Sequence, residues 1–241
     1  KAAAGPLMAI TAGLAGGRAF IDANLGMESM TRTLTQMTGS SEAARAEIDW
    51  LRETSNRLGI EFDGASRAWV GLAAAAKGTA MEGAKSRAVF EAVAGSMAML
   101  GKSSADTEGA LLAISQMISK GVVSMEEMRQ QLGERLPGAM QATADSMGVT
   151  TEDLNKMIES GKVLAEDLLP HLAEGLKKTY GLENQQGIEG TVSAWNRLKN
   201  SLSETMVYVG ESGKVMDALV FAVEGVTKIV RGASASFELL G

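Results

Sequence analysis

Residues Glu126–Thr150 read EEMRQQLGERLPGAMQATADSMGVT. Two runs with helical apolar spacing meet inside this stretch, at Gly133-Glu134-Arg135-Leu136-Pro137-Gly138. A glycine, a charged pair and a Pro-Gly step suit either a catalytic loop or a sharp corner between helices. Local physics favours the corner. Gly133 ends the helix that begins at Ser124. Leu136 precedes a proline and is pushed out of helical geometry. Pro137 suits a first helical position, where its missing N–H costs nothing. Met140, Ala144 and Met147 then form the buried stripe of the next helix. Only Glu134 and Arg135 have no geometric reason to be there.

The same grammar extends outward from the corner. Gly39, Gly59, Gly78, Gly101, Gly121, Gly133, Gly148, Gly161 and Gly181 separate short runs, and glycine just past a helix end turns left-handed without steric cost. Between these stops the apolar spacing is helical. Ala44, Ile48, Leu51 and Leu58 form one face; Val89, Val93, Met97 and Leu100 a second; Leu111, Ser115 and Ile118 a third. Ser124 and Glu127 have the spacing of a capping box. Thr150 with Asp153 and Ser103 with Asp106 are looser versions. No stretch alternates as a strand would. The fold class is therefore all-α: a compact multi-helix domain of short helices with flanking longer helices.

Four segments follow from this pattern. Residues 1–39 are an N-terminal helical or linker segment, and 40–181 a compact domain of seven or eight helices. Residues 182–190 are a polar connector, and 191–241 a two-helix segment cut from a longer chain. In the first C-terminal helix Val192, Trp195, Leu198, Leu202, Met206 and Val209 share a face. The second, Lys214–Arg231, confines Asp217, Glu224, Lys228 and Arg231 to one narrow stripe. Trp195 anchors its helix on the domain or marks a contact between subunits; the residues alone leave both open. The uncharged run Ala2–Gly17 is interrupted by Pro6 and four glycines and is too short to span a bilayer.

Composition limits the chemistry. The 241 residues are 45% hydrophobic but only 4% aromatic, so the core is built from small aliphatic side chains and 15 methionines. Each buries little apolar area, which predicts modest stability from many thin contacts. The absence of cysteine excludes thiolate metal sites and a cysteine nucleophile. One histidine, His171, excludes any site needing two imidazoles. A net charge of −6, with scattered basic residues, argues against specific nucleic-acid binding.

The remaining constellations read more simply as structure. His171 has Glu166, Asp167 and Glu174 nearby, but any soluble helix carries such acids. Pro170 fits the first turn of a helix capped by Asp167, or else kinks a longer helix. Gly78–Ser86 resembles a phosphate loop, yet Ala84 separates Gly83 from Lys85 and no strand precedes it. The pairs Glu126/Glu127, Glu152/Asp153 and Glu166/Asp167 sit near helix starts, where acids favour the positive dipole end. Met97, Met99, Met117, Met125, Met128, Met140, Met147 and Met157 read as flexible core filler.

The wording of Glu126–Leu176 resembles the conserved N-terminal domain of phage tail tape measure proteins. The likeness rests on Glu127–Gln131, on Leu132-Gly133-Glu134-Arg135-Leu136-Pro137-Gly138, on Met147-Gly148-Val149 and on Ser160-Gly161-Lys162-Val163-Leu164. SQMISKG at Ser115–Gly121 and GTVSAWNRLKNSL at Gly190–Leu202 extend it to about Ser40–Leu202. Met128 departs from it, standing where leucine is common. The resemblance implies a structural tail-assembly protein of a tailed phage or prophage, belonging to the virion tail and to the host cytoplasm during assembly. It also implies tail tube protein, tail assembly chaperones and tail tip or baseplate proteins as partners, in a homo-oligomer. It implies no enzyme, cofactor or metal. Leu132, Gly133, Leu136, Pro137, Gly138, Gly148, Gly161 and Trp195 are structural motif residues in this reading. The alternative is a membrane-active ejection protein that contacts the host membrane and helps DNA pass, drawn from Ala2–Gly17 and Val215–Val230.

Overall fold

The structure is a computed structural model that describes residues 22–182 and 187–212. The second C-terminal helix expected at Lys214–Arg231, the uncharged run Ala2–Gly17 and part of the connector lie outside them. Two units pack separately: Met30–Arg197, and residues 22–29 with 198–212. In the smaller unit the Asn24 side-chain amide donates to the Met206 carbonyl at 3.3 Å.

The elements are helices: α1 (residues 22–38), α2 (Ser41–Leu58), α3 (Phe62–Ala76), α4 (Ala84–Met99) and α5 (Ser104–Lys120). A π-helical segment (Glu126–Leu132) follows, then α6 (Ala139–Met147), α7 (Thr151–Glu159), α8 (Ala165–Thr179) and α9 (Thr191–Ser212). Eight helical segments thus lie between Ser40 and Gly181. Among the described residues the one isolated β-bridge joins Val122 to Leu164. It ties the loop before the π-helix to the loop before α8, with Val123 N–H donating to Val163 at 2.9 Å and Ala165 N–H to Gly121 at 3.0 Å.

The start signals work as local chemistry requires. Ser40, Ser103 and Thr150 accept from the backbone N–H three residues on, satisfying one orphan donor each. Eight of the nine predicted glycine stops have positive φ; Gly133, at φ −64, is the exception.

The main pairings in the larger unit are α3 with α5, α6 with α8, and α4 with α8. Ala44, Ile48, Leu51 and Leu58 are buried as their spacing predicts, and so are Val89, Val93, Met97, Leu111, Ser115 and Ile118. Leu100 is not: it caps α4 and lies open to solvent. Met81, Met97, Met117 and Met128 fill the core, whereas Met99 and Met157 are exposed. Three of the aromatics are clustered. Trp50, Trp69 and Phe90 form one cluster with ring centroids 4.6, 5.8 and 5.5 Å apart. Tilted and edge-on rings add to the area they bury. Arg87 covers Trp50 at 4.7 Å and pairs with Glu47 at 2.6 Å.

Small residues let helices touch backbone to backbone. A Cβ on Gly175 of α8 would lie 2.0 Å from the Ala142 carbonyl oxygen of α6. Pro170 lies inside α8 rather than in its first turn, because the helix already begins at Ala165. It forfeits one helical hydrogen bond, the one toward Glu166.

Two substitutions test this packing. Gly175→Ala loses roughly 1–3 kcal/mol, since backbone must move to admit one methyl. Phe90→Ala loses about 3–5 kcal/mol from the aromatic cluster. Chemical denaturation followed by circular dichroism measures both.

Candidate functional site

The corner at Leu132–Gly138 is built from the residues upward. Leu132 and Leu136 are fully buried. Gly133 does not turn left-handed. Its N–H reaches back five residues to Met128 at 3.1 Å, the π-helical step. A Cβ there would lie 2.5 Å from the Arg129 carbonyl oxygen, so glycine is required by proximity rather than by φ. Pro137 is not the first helical residue, because α6 starts at Ala139 behind the cap Gly138. Instead Leu136–Ala139 is a type II turn. Ala139 N–H donates to Leu136 at 3.2 Å, proline takes the second position, and Gly138 takes the third at φ 85 and ψ −4. Beyond it, the buried face of α6 is Ala139, Ala142, Thr143 and Ala144. Met140 and Met147, expected to be buried, are half-exposed.

Two side chains pin this corner. The Tyr180 hydroxyl donates to the Pro137 carbonyl at 2.7 Å, and burial holds the phenol pKa above its usual value. Arg135 donates to the Gln131 carbonyl at 2.7 Å. Its Nε stands 2.4 Å from where a Cβ on Gly109 of α5 would be. Arg135, which had no reason in the sequence, therefore closes the π-helix while lying against a glycine of the neighbouring helix. Glu134 is exposed, and nothing in the structure explains it.

Glu127 departs from the simple helix-start reading. Its side chain is fully buried, while its partner Lys120 is half-exposed. Lys120 donates to one carboxylate oxygen and the Ser124 hydroxyl to the other. The capping box is thus side chain to side chain. Burial alone would raise the Glu127 carboxyl, but the hydrogen bonds from Lys120 and Ser124 outweigh it and hold the carboxyl below the usual glutamate range. The overlooked signal was position: Glu127 lies four residues after the buried Val123 and five before the buried Leu132.

Within the larger unit, the first turns of α9 pack by a polar face. Asn196 donates to the Gly59 carbonyl at 2.9 Å. Arg197 donates from Nε to Asn56 at 2.8 Å and from its terminal nitrogen to Ile188 at 2.6 Å. These carbonyls include the orphan acceptors at the C-terminal end of α2, where positive charge is favoured. Ser193 sits so close that a Cβ on Gly59 would meet its Cβ at 2.3 Å. Of the apolar face read from the sequence, Val192 and Trp195 are 51% and 59% exposed, while Leu198, Leu202 and Met206 are half-buried. Gly148 and Gly161 end α7's neighbouring turns in left-handed conformations, at φ 70 each.

The one histidine lies in a cluster that resembles a hydrolytic triad by composition only. The Ser146 hydroxyl is 3.1 Å from His171 Nδ1 and donates to Glu174 at 3.2 Å. The carboxylate holds the serine, not the imidazole, the reverse of a triad in which the acid orients the ring. The cluster bridges α6 and α8. Of the other acids, Glu152 pairs with Lys156 at 2.7 Å and Asp153 bonds the cap Thr150 at 2.7 Å. Among the described residues no group of acids and histidine is spaced to hold a metal ion.

Tyr180→Phe costs about 1 kcal/mol, the worth of one hydrogen bond, read from the thermal midpoint. The Glu127 carboxyl, lowered in the fold, stabilises fully above the ordinary glutamate pKa, and that contribution is lost as pH falls through its lowered folded value. Glu127→Gln therefore loses stability at neutral pH. It also flattens the acid limb of a stability–pH curve by less than one proton equivalent.

A family model described as tape measure protein matches residues 18–214. A curated protein named "Probable tape measure protein", from Salmonella phage Felix O1 (isolate Felix O1-VT1), is 32% identical over 153 residues, covering 58% of this chain and 19% of that protein. The chain thus spans about a fifth of the length of the curated relative. No solved structure matches. The family match takes in the corner, the Glu127 pair and the α9 dock, and with well over half of its length matched the chain belongs to the tape measure protein family.

Proposed function

We propose that this chain is a folded, non-enzymatic module of the protein that sets the length of a phage tail and is packed in the tail tube. The observation that carries this reading is the family match over residues 18–214. The packing supports it. The buried Glu127 and the half-buried Arg135, Tyr180 and Arg197 are spent on carbonyls and neighbouring side chains that hold helices together. A scaffold needs that arrangement and a bond-making site does not.

In this reading length is encoded outside the module, in an extended helix that rises about 1.5 Å per residue. Tail tube protein, tail assembly chaperones and tip or baseplate proteins are its partners. The exposed Trp195 face of α9 is available for contact between copies. The module lies in the virion tail, and in the host cytoplasm before assembly is complete. A compact body of about 140 residues has a radius of gyration near 14 Å. A narrow tube barely admits it, so the module sits at a tail end or unfolds when the tape passes. No helix among the described residues is long and apolar enough to cross a membrane.

Deleting 100 residues outside the module in the full-length protein shortens tails by about 150 Å, measured by electron microscopy of particles. Tails of unchanged length would refute the reading.

A further inference from the structure

A groove runs between α3 and α5, with Lys120 of the Glu127 pair at one end. It encloses about 730 Å³ over a floor of Ala68, Gly71, Ala75, Gly109 and Leu112. Leu112 is 56% exposed, an apolar side chain with its outer half uncovered. Gly71 is the informative residue. An interior glycine weakens a helix relative to alanine, so its presence needs a reason. The other glycines inside helices of Met30–Arg197 each have one. A Cβ would meet Ser104 Oγ at 2.2 Å from Gly64, Leu182 Cδ1 at 3.0 Å from Gly95, Arg135 Nε at 2.4 Å from Gly109 and the Ala142 oxygen at 2.0 Å from Gly175. Nothing lies within 4 Å of a Cβ on Gly71. Among the described residues no packing contact uses that glycine; it keeps the groove floor low.

The groove also carries a charge pattern. Arg67 bonds Glu108 through Nε and one terminal nitrogen, at 3.3 and 2.8 Å. Twelve residues further along α5, Lys120 bonds Glu127. In both pairs the cation stands outward: side-chain exposure is 65% for Arg67 against 31% for Glu108, and 50% for Lys120 against 0% for Glu127. Each cation keeps N–H donors that its acid does not occupy. The groove thus offers two outward positive ends about 18 Å apart along α5, with an apolar floor between.

We propose that this groove docks an amphipathic α-helix of another protein, one carrying an apolar stripe between two carboxylates about 18 Å apart, on the order of 12 residues. A helix fills the trough between two others by ridges into grooves, and a floor without side chains lets its backbone approach closely. This goes beyond the tail-length reading and does not rest on it.

The test uses the whole 241-residue chain and designed helical peptides in fluorescence anisotropy. The probe carries leucines on one face and two glutamates at that spacing; controls replace both glutamates with lysine or scramble the order. The glutamate peptide binds saturably with a micromolar Kd, about tenfold tighter than either control. Gly71→Trp and Leu112→Glu each weaken it by about tenfold, with melting curves no lower than the parent's. If Gly71→Trp fails to fold, Leu112→Glu alone decides the matter. The proposal is overturned by absence of saturable binding, by equal binding of the controls, or by unchanged binding to the folded variants. Self-association of the chain that Gly71→Trp abolishes would also overturn it, by giving the groove to a second copy.

Discussion

The Ala142 carbonyl oxygen of α6 occupies the space a side chain on Gly175 of α8 would need. The rest of the fold is arranged around contacts of this kind. A chain with 4% aromatic residues cannot fill wide gaps between helices, so its helices must come close for thin side chains to meet. Gly64 under Ser104, Gly109 under Arg135 and Gly59 under Ser193 repeat the device at other crossings. Three large rings stand together, where Trp50, Trp69 and Phe90 join α2, α3 and α4.

Close helices leave their ends to be satisfied, and several half-buried polar side chains go there. Tyr180 takes the Pro137 carbonyl, Arg135 that of Gln131, and Arg197 those of Asn56 and Ile188. Each is a donor laid on a main-chain carbonyl at a helix end, a turn or a loop. The groups that look chemical in the sequence are accounted for in the same way. Glu127 binds Lys120 and Ser124, and Ser146 joins His171 to Glu174 across α6 and α8. The corner that could have been a catalytic loop is a π-helical segment, a type II turn and two pins.

What was legible in the sequence was whatever depends on nearest neighbours. Helix starts at Ser40, Ser103 and Thr150, glycine stops and the buried faces of α2 and α5 follow from capping and period alone. What was not legible depends on residues far apart in the chain. Gly133 reads as a left-handed stop, but the π-helical step replaces that role with a steric one. Pro137 reads as a helix start because the type II turn and α6 share the same residues. The polar docking side of α9 is not legible because apolar spacing identifies a stripe without saying what covers it; the acceptors that bind Arg197 are about 140 residues away in the chain. Tyr180 and Arg135 carry no local pattern at all.

Native-state hydrogen exchange across α6 and α8 tests most directly whether this close crossing holds the module together. Amides of Ala142, Thr143, Leu172 and Leu176 are predicted to exchange only through global unfolding, with the same denaturant dependence as the most protected residues in the chain. Exchange of the α6 amides through a local opening, well below the global free energy, would contradict the account.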